Sequence, residues 1–239
     1  MPTVDPDILP ASRWSALWPG RCAHCDTRSS QPLCVDCVQR DLPLRPRCPL
    51  CGVAVAAAGT VCGHCRVHPP RWSGALTLGD YRFPNDRLIL RIKFGAEPAL
   101  AGWFGALLGA RWLRTALPLP DCVLPVPLSR QRLLERGFNP AWEMARRLAR
   151  TLQRPADAYS LLRVRHGPAQ SLLPVAARQR NIRGAYACDV RWDGKTLLLV
   201  DDVMTSGATL DEACRVLLRQ GAAAVWVATA LRTPPDPAP

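Results

Sequence analysis

Two sets of residues carry chemistry by their type and spacing. Eight of the eleven cysteines form four Cys-x-x-Cys pairs: Cys22/Cys25, Cys34/Cys37, Cys48/Cys51 and Cys62/Cys65. Two intervening residues let both sulfurs of one knuckle meet a single tetrahedral ion, and a second knuckle closes the site. Eight residues separate the first two pairs and ten the last two, so consecutive knuckles are expected to pair into two zinc ribbons, in preference to a crossed arrangement. Four thiolates leave no open coordination position, which makes the zinc structural rather than catalytic. His24 and His64 lie inside the knuckles, where the sulfurs already saturate each site. The competing reading, a disulfide framework, suits an oxidising compartment, to which nothing in the sequence points. Cys122, Cys188 and Cys214 fall in apolar segments and read as small core residues.

The second set lies in TLLLVDDVMTSGATL, residues 196–210. An apolar strand runs into Asp201-Asp202, and a tight loop then opens a helix. In parallel sheets ligands lie at the carboxyl ends of strands. Here that edge offers two carboxylates, the hydroxyls of Thr205, Ser206 and Thr209, and Gly207, which lets backbone N–H groups approach a ligand. A helix N-terminus binds phosphate through its unpaired N–H groups and its dipole. The pattern therefore predicts a phosphate in the loop 205–209, Ala208 included, and sugar hydroxyls on the acids. Mg²⁺ carried with the ligand would offset the like charge of phosphates and carboxylates.

These residues need a scaffold, and the remaining pattern describes one. The 239 residues allow one large domain or two small ones. A hydrophobic share of 48% with 21% charged residues is globular composition. No apolar run reaches the ~18 residues that span a bilayer, and no basic segment followed by an apolar one opens the chain. A soluble cytoplasmic protein without membrane insertion is expected. Residues 1–21 read as an extension, 22–68 as the double ribbon, 71–233 as an α/β domain and 234–239 as a Pro-rich tail. Within the α/β part, strands are predicted at 74–81, 122–126, 196–200 and 222–231. Helices are predicted at 86–94, 99–116 and from the loop to about residue 220, with a mainly helical stretch at 128–152 interrupted near Gly137 and Pro140. Apolar strands alternating with helices argue for a parallel sheet covered on both faces.

The formal charge is +12, and only two of the 31 basic residues are lysines. Eight thiolates against two Zn²⁺ remove four units and leave about +8. Residues 128–184 hold twelve arginines against Glu135, Glu143 and Asp157. Such a stretch points to an anionic partner, since the guanidinium fork suits phosphate; solvated helix faces are the bland alternative. Trp72, Trp103, Trp112 and Trp142 could stack nucleobases, although core burial suits most of them better.

The segment 196–210 resembles the 5-phosphoribosyl-1-pyrophosphate (PRPP) motif of type I phosphoribosyltransferases. LPVPLSRQRLLERGFNPAWEMARRLA, from Leu124, and RHGPAQSLLPVAARQRNIRGAY, from Arg165, resemble segments of the ComF/GntX family, which joins a double zinc ribbon to a phosphoribosyltransferase-like domain. The resemblance implies that Asp201 and Asp202 hold the ribose hydroxyls and that the strand end Pro125, Val126, Pro127 faces pyrophosphate. Arg132, Arg136, Gly137, Phe138 and Asn139 match the R…RGFN element. Gln170, Leu173, Arg178 and Asn181 keep the spacing of a mobile-loop segment, in which Arg178 and Arg180 are candidate ligand contacts. Tyr186 stands where phenylalanine is commoner. Pro140 replaces a usual glutamine and Gly167 a common threonine, so neither receives a role. Lys93, in RIKFG, matches the family's Lys-Phe element but reads equally as a snorkelling side chain.

The resemblance implies a PRPP-binding protein of DNA uptake and natural transformation, with single-stranded DNA and other DNA-uptake proteins as partners. Two alternatives stand beside it: an active phosphoribosyltransferase with an unidentified acceptor, and a non-catalytic protein-docking platform.

Overall fold

The computed structural model describes residues 20–165 and 182–235. Most of the extension 1–21, the end of the tail, and Gly167, Gln170, Leu173, Arg178, Arg180 and Asn181 lie outside the described residues. Four parallel strands form the central sheet: β1 (Gly74–Asp80), β2 (Cys122–Pro125), β5 (Thr196–Met204) and β6 (Ala224–Arg232), in the order β1-β6-β5-β2. A small antiparallel pair, β3 (Leu162–Arg163) and β4 (Tyr186–Ala187), stands apart. The run Leu197–Val200 is wholly apolar because β5 is central and buried on both faces.

Strand alternation sorts the core into two layers. Leu198 and Val200 pack with α3 (Asn85–Phe94), α4 (Pro98–Trp112) and α6 (Pro140–Leu152). Leu197 and Leu199 pack on the other face with α7 (Ala208–Arg219). The cysteine groups divide between these layers. Cys22 and Cys37 belong to the α3/α4/α6 layer, with Leu33, Leu42 and α1 (Val35–Asp41). Cys48, Cys51 and Cys65, the last on α2 (Gly63–Val67), belong to the α7 layer. The cysteine knuckles are thus built into the two cores of the sheet.

α4 is apolar nearly all round because it lies between β1 and α6. A Cβ on Gly105 would strike the backbone carbonyl of Met144, so only glycine lets α4 and α6 approach this closely. The predicted helix 99–116 stops at Trp112, where the Thr115 hydroxyl donates to the Trp112 carbonyl at 2.7 Å. The stretch 128–152 divides into α5 (Arg130–Arg136), capped by Gly137, and α6. Pro140 occupies the first turn of α6, where its missing N–H costs nothing. That position accounts for its replacing glutamine without breaking the helix.

Candidate functional site

The site forms where neighbouring strands end at different heights. β2 pairs with β5 only as far as Pro125 opposite Val200, whereas β6 continues to pair with β5 out to Met204 opposite Arg232. Asp201 and Asp202 therefore lie within the strand, which runs to Met204, beyond the span 196–200 expected from the sequence. Among the described residues, no strand pairs with β5 on its β2 side beyond Val200, which leaves that edge open. Asp202, 9% exposed, meets Lys93 of α3, with Nζ 2.9 Å from Oδ2. Asp201 accepts the Asp202 N–H at 2.8 Å. Burial, then the neighbouring Asp202 carboxylate, pushes Asp201 up to about 7. Lys93 and Arg163 act in the opposite sense on Asp201.

The loop after β5 ends at Gly207, which adopts φ +82° and caps α7. Thr205 and Ser206 are exposed, Ala208 and Thr209 half-buried. The Ala208 N–H donates to Ser206 Oγ at 3.4 Å, and the Asp211 N–H to the Gly207 carbonyl at 2.9 Å. Two side chains join this loop to the knuckle Cys48–Cys51. Arg232 donates through Nε to the Cys51 carbonyl at 2.9 Å and through Nη1 to the carbonyls of Met204, at 3.0 Å, and Thr205. Trp72 lies against Gly207, where a Cβ would sit 3.0 Å from the indole, and its Nε1 donates to the Leu50 carbonyl. Neither residue carried a local signal for this role, since each bridges segments far apart in sequence.

Opposite the loop, Pro125, Val126 and Pro127 are buried at the end of β2. The Val126 N–H donates to the Val200 carbonyl at 2.8 Å, and Asn139 Nδ2 to the Val126 carbonyl at 3.0 Å. Asn139 Oδ1 also accepts the Ala141 N–H at 3.1 Å, so one side chain caps α6 and holds the strand end. Ser129 caps α5 through the Arg132 N–H at 3.4 Å. Arg132 is shifted down by burial and then by the charges of Arg163 and Arg136, and Arg163 lies over the Tyr186 ring at 5.8 Å. Arg132 and Arg163 thus form a basic wall beside Tyr186, and the charge of Arg163 acts on Asp201. Arg136, at the end of α5, belongs to its flank, while Arg178 lies outside the described residues. The Tyr186 hydroxyl is buried without a hydrogen-bond partner among the described residues, and burial raises it well above the ordinary tyrosine range. Glu212 of α7 was not singled out from sequence; it accepts the Gly184 N–H at 2.7 Å and pairs with Arg215.

The cysteines gather as Cys22/Cys25/Cys34/Cys37 and Cys48/Cys51/Cys62/Cys65, with all sulfurs of a group within 4.8 Å of one another. Cys25 and Cys34 sulfurs lie 3.6 Å apart, as do those of Cys51 and Cys62. Four sulfurs around Zn²⁺ at ~2.3 Å in a tetrahedron require separations near ~3.8 Å, so both groups fit the ion. His24 is turned to Asp41, with Nδ1 2.7 Å from Oδ2. Trp72, Trp103 and Trp112 are at most 5% exposed, and Trp142 packs half-buried against the core. None of the four offers an open platform for a base.

A parallel sheet flanked by helices, with an acidic pair and a glycine-capped loop at the carboxyl end of its central strand, defines a phosphoribosyltransferase-like α/β protein. Residues 186–238 match the family model for the phosphoribosyl transferase domain. DNA utilization protein YhgH of Escherichia coli K12 is 34% identical over 205 residues, covering 84% of this chain and 90% of its own length. Competence protein F of Haemophilus influenzae is 31% identical over 222 residues, covering 87% and 94%. Competence protein ComFC of Bacillus subtilis is 31% identical over 183 residues, covering 74% and 73%. The chain belongs to the ComF/GntX family.

Proposed function

We propose that this chain binds PRPP with Mg²⁺ at the carboxyl end of β5 and acts in the cytoplasm in DNA uptake, handling single strands. The observation that carries the ligand reading is the open edge beyond Val200, bounded by Asp201, the loop Thr205–Thr209 and the basic wall of Arg132 and Arg163. In this reading the loop N–H groups take the 5-phosphate. Asp201 takes a ribose hydroxyl, and Asp202, held by Lys93, fixes the strand end. The arginines, with Pro125, Val126 and Pro127, receive the pyrophosphate. Bound Mg²⁺ supplies charge compensation between pyrophosphate and acids.

The DNA part rests on the relatives, named for DNA utilization and competence, and on the arginine-rich middle of the chain. In this reading the arginines bind the phosphate backbone, which dominates affinity for nucleic acid.

Calorimetric titration of PRPP with Mg²⁺ into the zinc-loaded chain tests the ligand reading. Binding that Asp201→Asn/Asp202→Asn abolishes supports it, and the absence of heat from a folded protein overturns it. Filter binding of single-stranded DNA at low salt tests the DNA part; no retention there refutes it, because phosphate-dominated affinity is greatest under that condition.

A second reading, phosphoribosyl transfer, is favoured by the basic wall. Positioning and stabilisation of leaving pyrophosphate are the main demands of that reaction on a protein. Pyrophosphate release with an acceptor panel distinguishes transfer from binding.

A further inference from the structure

Three large apolar side chains of one short stretch stand in solvent: Phe83 is 66% exposed, Leu90 45% and Phe94 79%. The other face of α3, with Leu88, Ile89 and Ile92, is wholly buried in the core. Arg87, Leu90 and Phe94 follow one another at intervals of three and four residues, so they share the outer face of the helix. The Arg87 guanidinium lies 4.8 Å from the centre of the Phe83 ring, which joins Phe83 to the same row. A contiguous exposed patch of this kind marks an interaction surface.

The course of α3 places this row along the carboxyl edge of the sheet. The helix starts beyond the end of β1, where the Tyr81 N–H donates to the Arg232 carbonyl of β6 at 2.8 Å. Its last turn reaches β5, two strands away, where Lys93 meets Asp202. Phe94 therefore ends the row one residue beyond the lysine that borders the Asp201 edge. The charge that remains free beside the rings is cationic. Glu97 is taken by Arg91 through bonds of 2.8 and 2.9 Å, and Asp86 accepts the Arg87 backbone N–H at 2.8 Å. Asp80 already holds Arg45 and Arg47, so Arg82, 3.7 Å from it, adds an exposed guanidinium in excess.

We propose that this row seats single-stranded DNA, with bases stacked on Phe83 and Phe94, Leu90 between them, and flanking phosphates on Arg82 and Arg87. The proposal rests on the DNA part of the function proposed above and assigns it a surface. Aromatic rings interleaved with cations are the platform that sequence-tolerant binding of single strands requires, and the buried tryptophans do not supply it. A protein partner would use the apolar side chains alone. The two bordering arginines, with the acids of this stretch engaged, complement a polyanion instead. A strand laid along α3 would run towards the Asp201 edge.

The test is fluorescence anisotropy of labelled oligothymidylate with the full, zinc-loaded chain, beside a strand of equal length that lacks bases. Phe83→Ala and Phe94→Ala should each weaken oligothymidylate by about fivefold or more, while Phe83→Tyr and Phe94→Tyr, which keep a ring, should hold the affinity. The strand without bases should bind more weakly and ignore all four changes. Arg87→Gln should reduce the slope of log affinity against log salt by about 0.7, the share of one phosphate contact on a single strand. Both rings are exposed, so their loss leaves the core intact, and thermal melts verify it. Wild-type chain that binds no single strand at low salt overturns the DNA part of the proposed function and this surface with it. Oligothymidylate binding that neither alanine variant weakens leaves that part standing and overturns the surface alone. A baseless strand bound as tightly as oligothymidylate overturns the stacking. A wild-type dimer that Phe83→Ala/Phe94→Ala dissociates, with DNA affinity unchanged, gives the row to a second copy of the chain and overturns the proposal.

Discussion

Gly207→Ala puts the geometry of the loop to a quantitative test. Residue 207 sits at φ +82°, a left-handed conformation that costs an L-residue about 1–2 kcal/mol. The new methyl carbon would also lie 3.0 Å from the Trp72 indole. Trp72 is buried and anchored to the Leu50 carbonyl, so it has little room to yield. If the loop keeps its shape, the strain appears as lost stability. For a chain of this size, 1–2 kcal/mol corresponds to a fall in Tm of roughly 2–8 °C. If the loop relaxes instead, the stability is retained and the strain is met on binding. PRPP affinity then falls by about 5–30-fold. Thermal melts and PRPP calorimetry on the same preparation therefore read complementary shares of one free energy. Trp72→Phe in the same background should relieve the indole contact and leave the backbone cost, so the two substitutions should not be additive. A Gly207→Ala protein with Tm and PRPP affinity both unchanged would refute the assignment of a strained, Trp72-backed loop.

Arg232→Gln should weaken PRPP binding by roughly 10-fold while the chain keeps both zinc ions, because the bonds from Arg232 join the Cys51 carbonyl to the loop carbonyls; metal analysis beside calorimetry checks it. Cys62→Ser and Cys25→Ser should each lower the zinc content from two ions to one. Only the former should also weaken PRPP, since the second centre carries the knuckle beneath the loop. Asp201, raised to about 7, holds a proton in the folded chain that an unfolded carboxyl releases near ~4. Its contribution to stability is therefore lost as pH rises between those values and is level above them. Melts at about pH 5 and about pH 8 should show Asp201→Asn gaining on the wild type as pH rises. Lys93→Met should lower Tm, and adding Asp202→Asn should recover part of the loss, because the single change leaves Asp202 without its counter-ion.

Features with a local physical signature were legible in the sequence. Cys-x-x-Cys spacing defines a chelating knuckle without tertiary help, and the four-cysteine groups formed in chain order. The apolar run before Asp201, with Gly207 ahead of a helical pattern, marked the central strand and its loop, and the alternation of elements marked a helix-covered parallel sheet. The tertiary structure decided what depends on distant partners. β5 continues through Asp202 only because β6 extends alongside it to Arg232, and Lys93 acquires a role only because α3 packs where Asp202 emerges. The tryptophans were sorted into the core by burial rather than by type. The links from the second knuckle to the loop, through Trp72 and Arg232, span segments far apart in the chain. Sequence periodicity reports the face of one element; which element meets that face depends on how helices and strands pack.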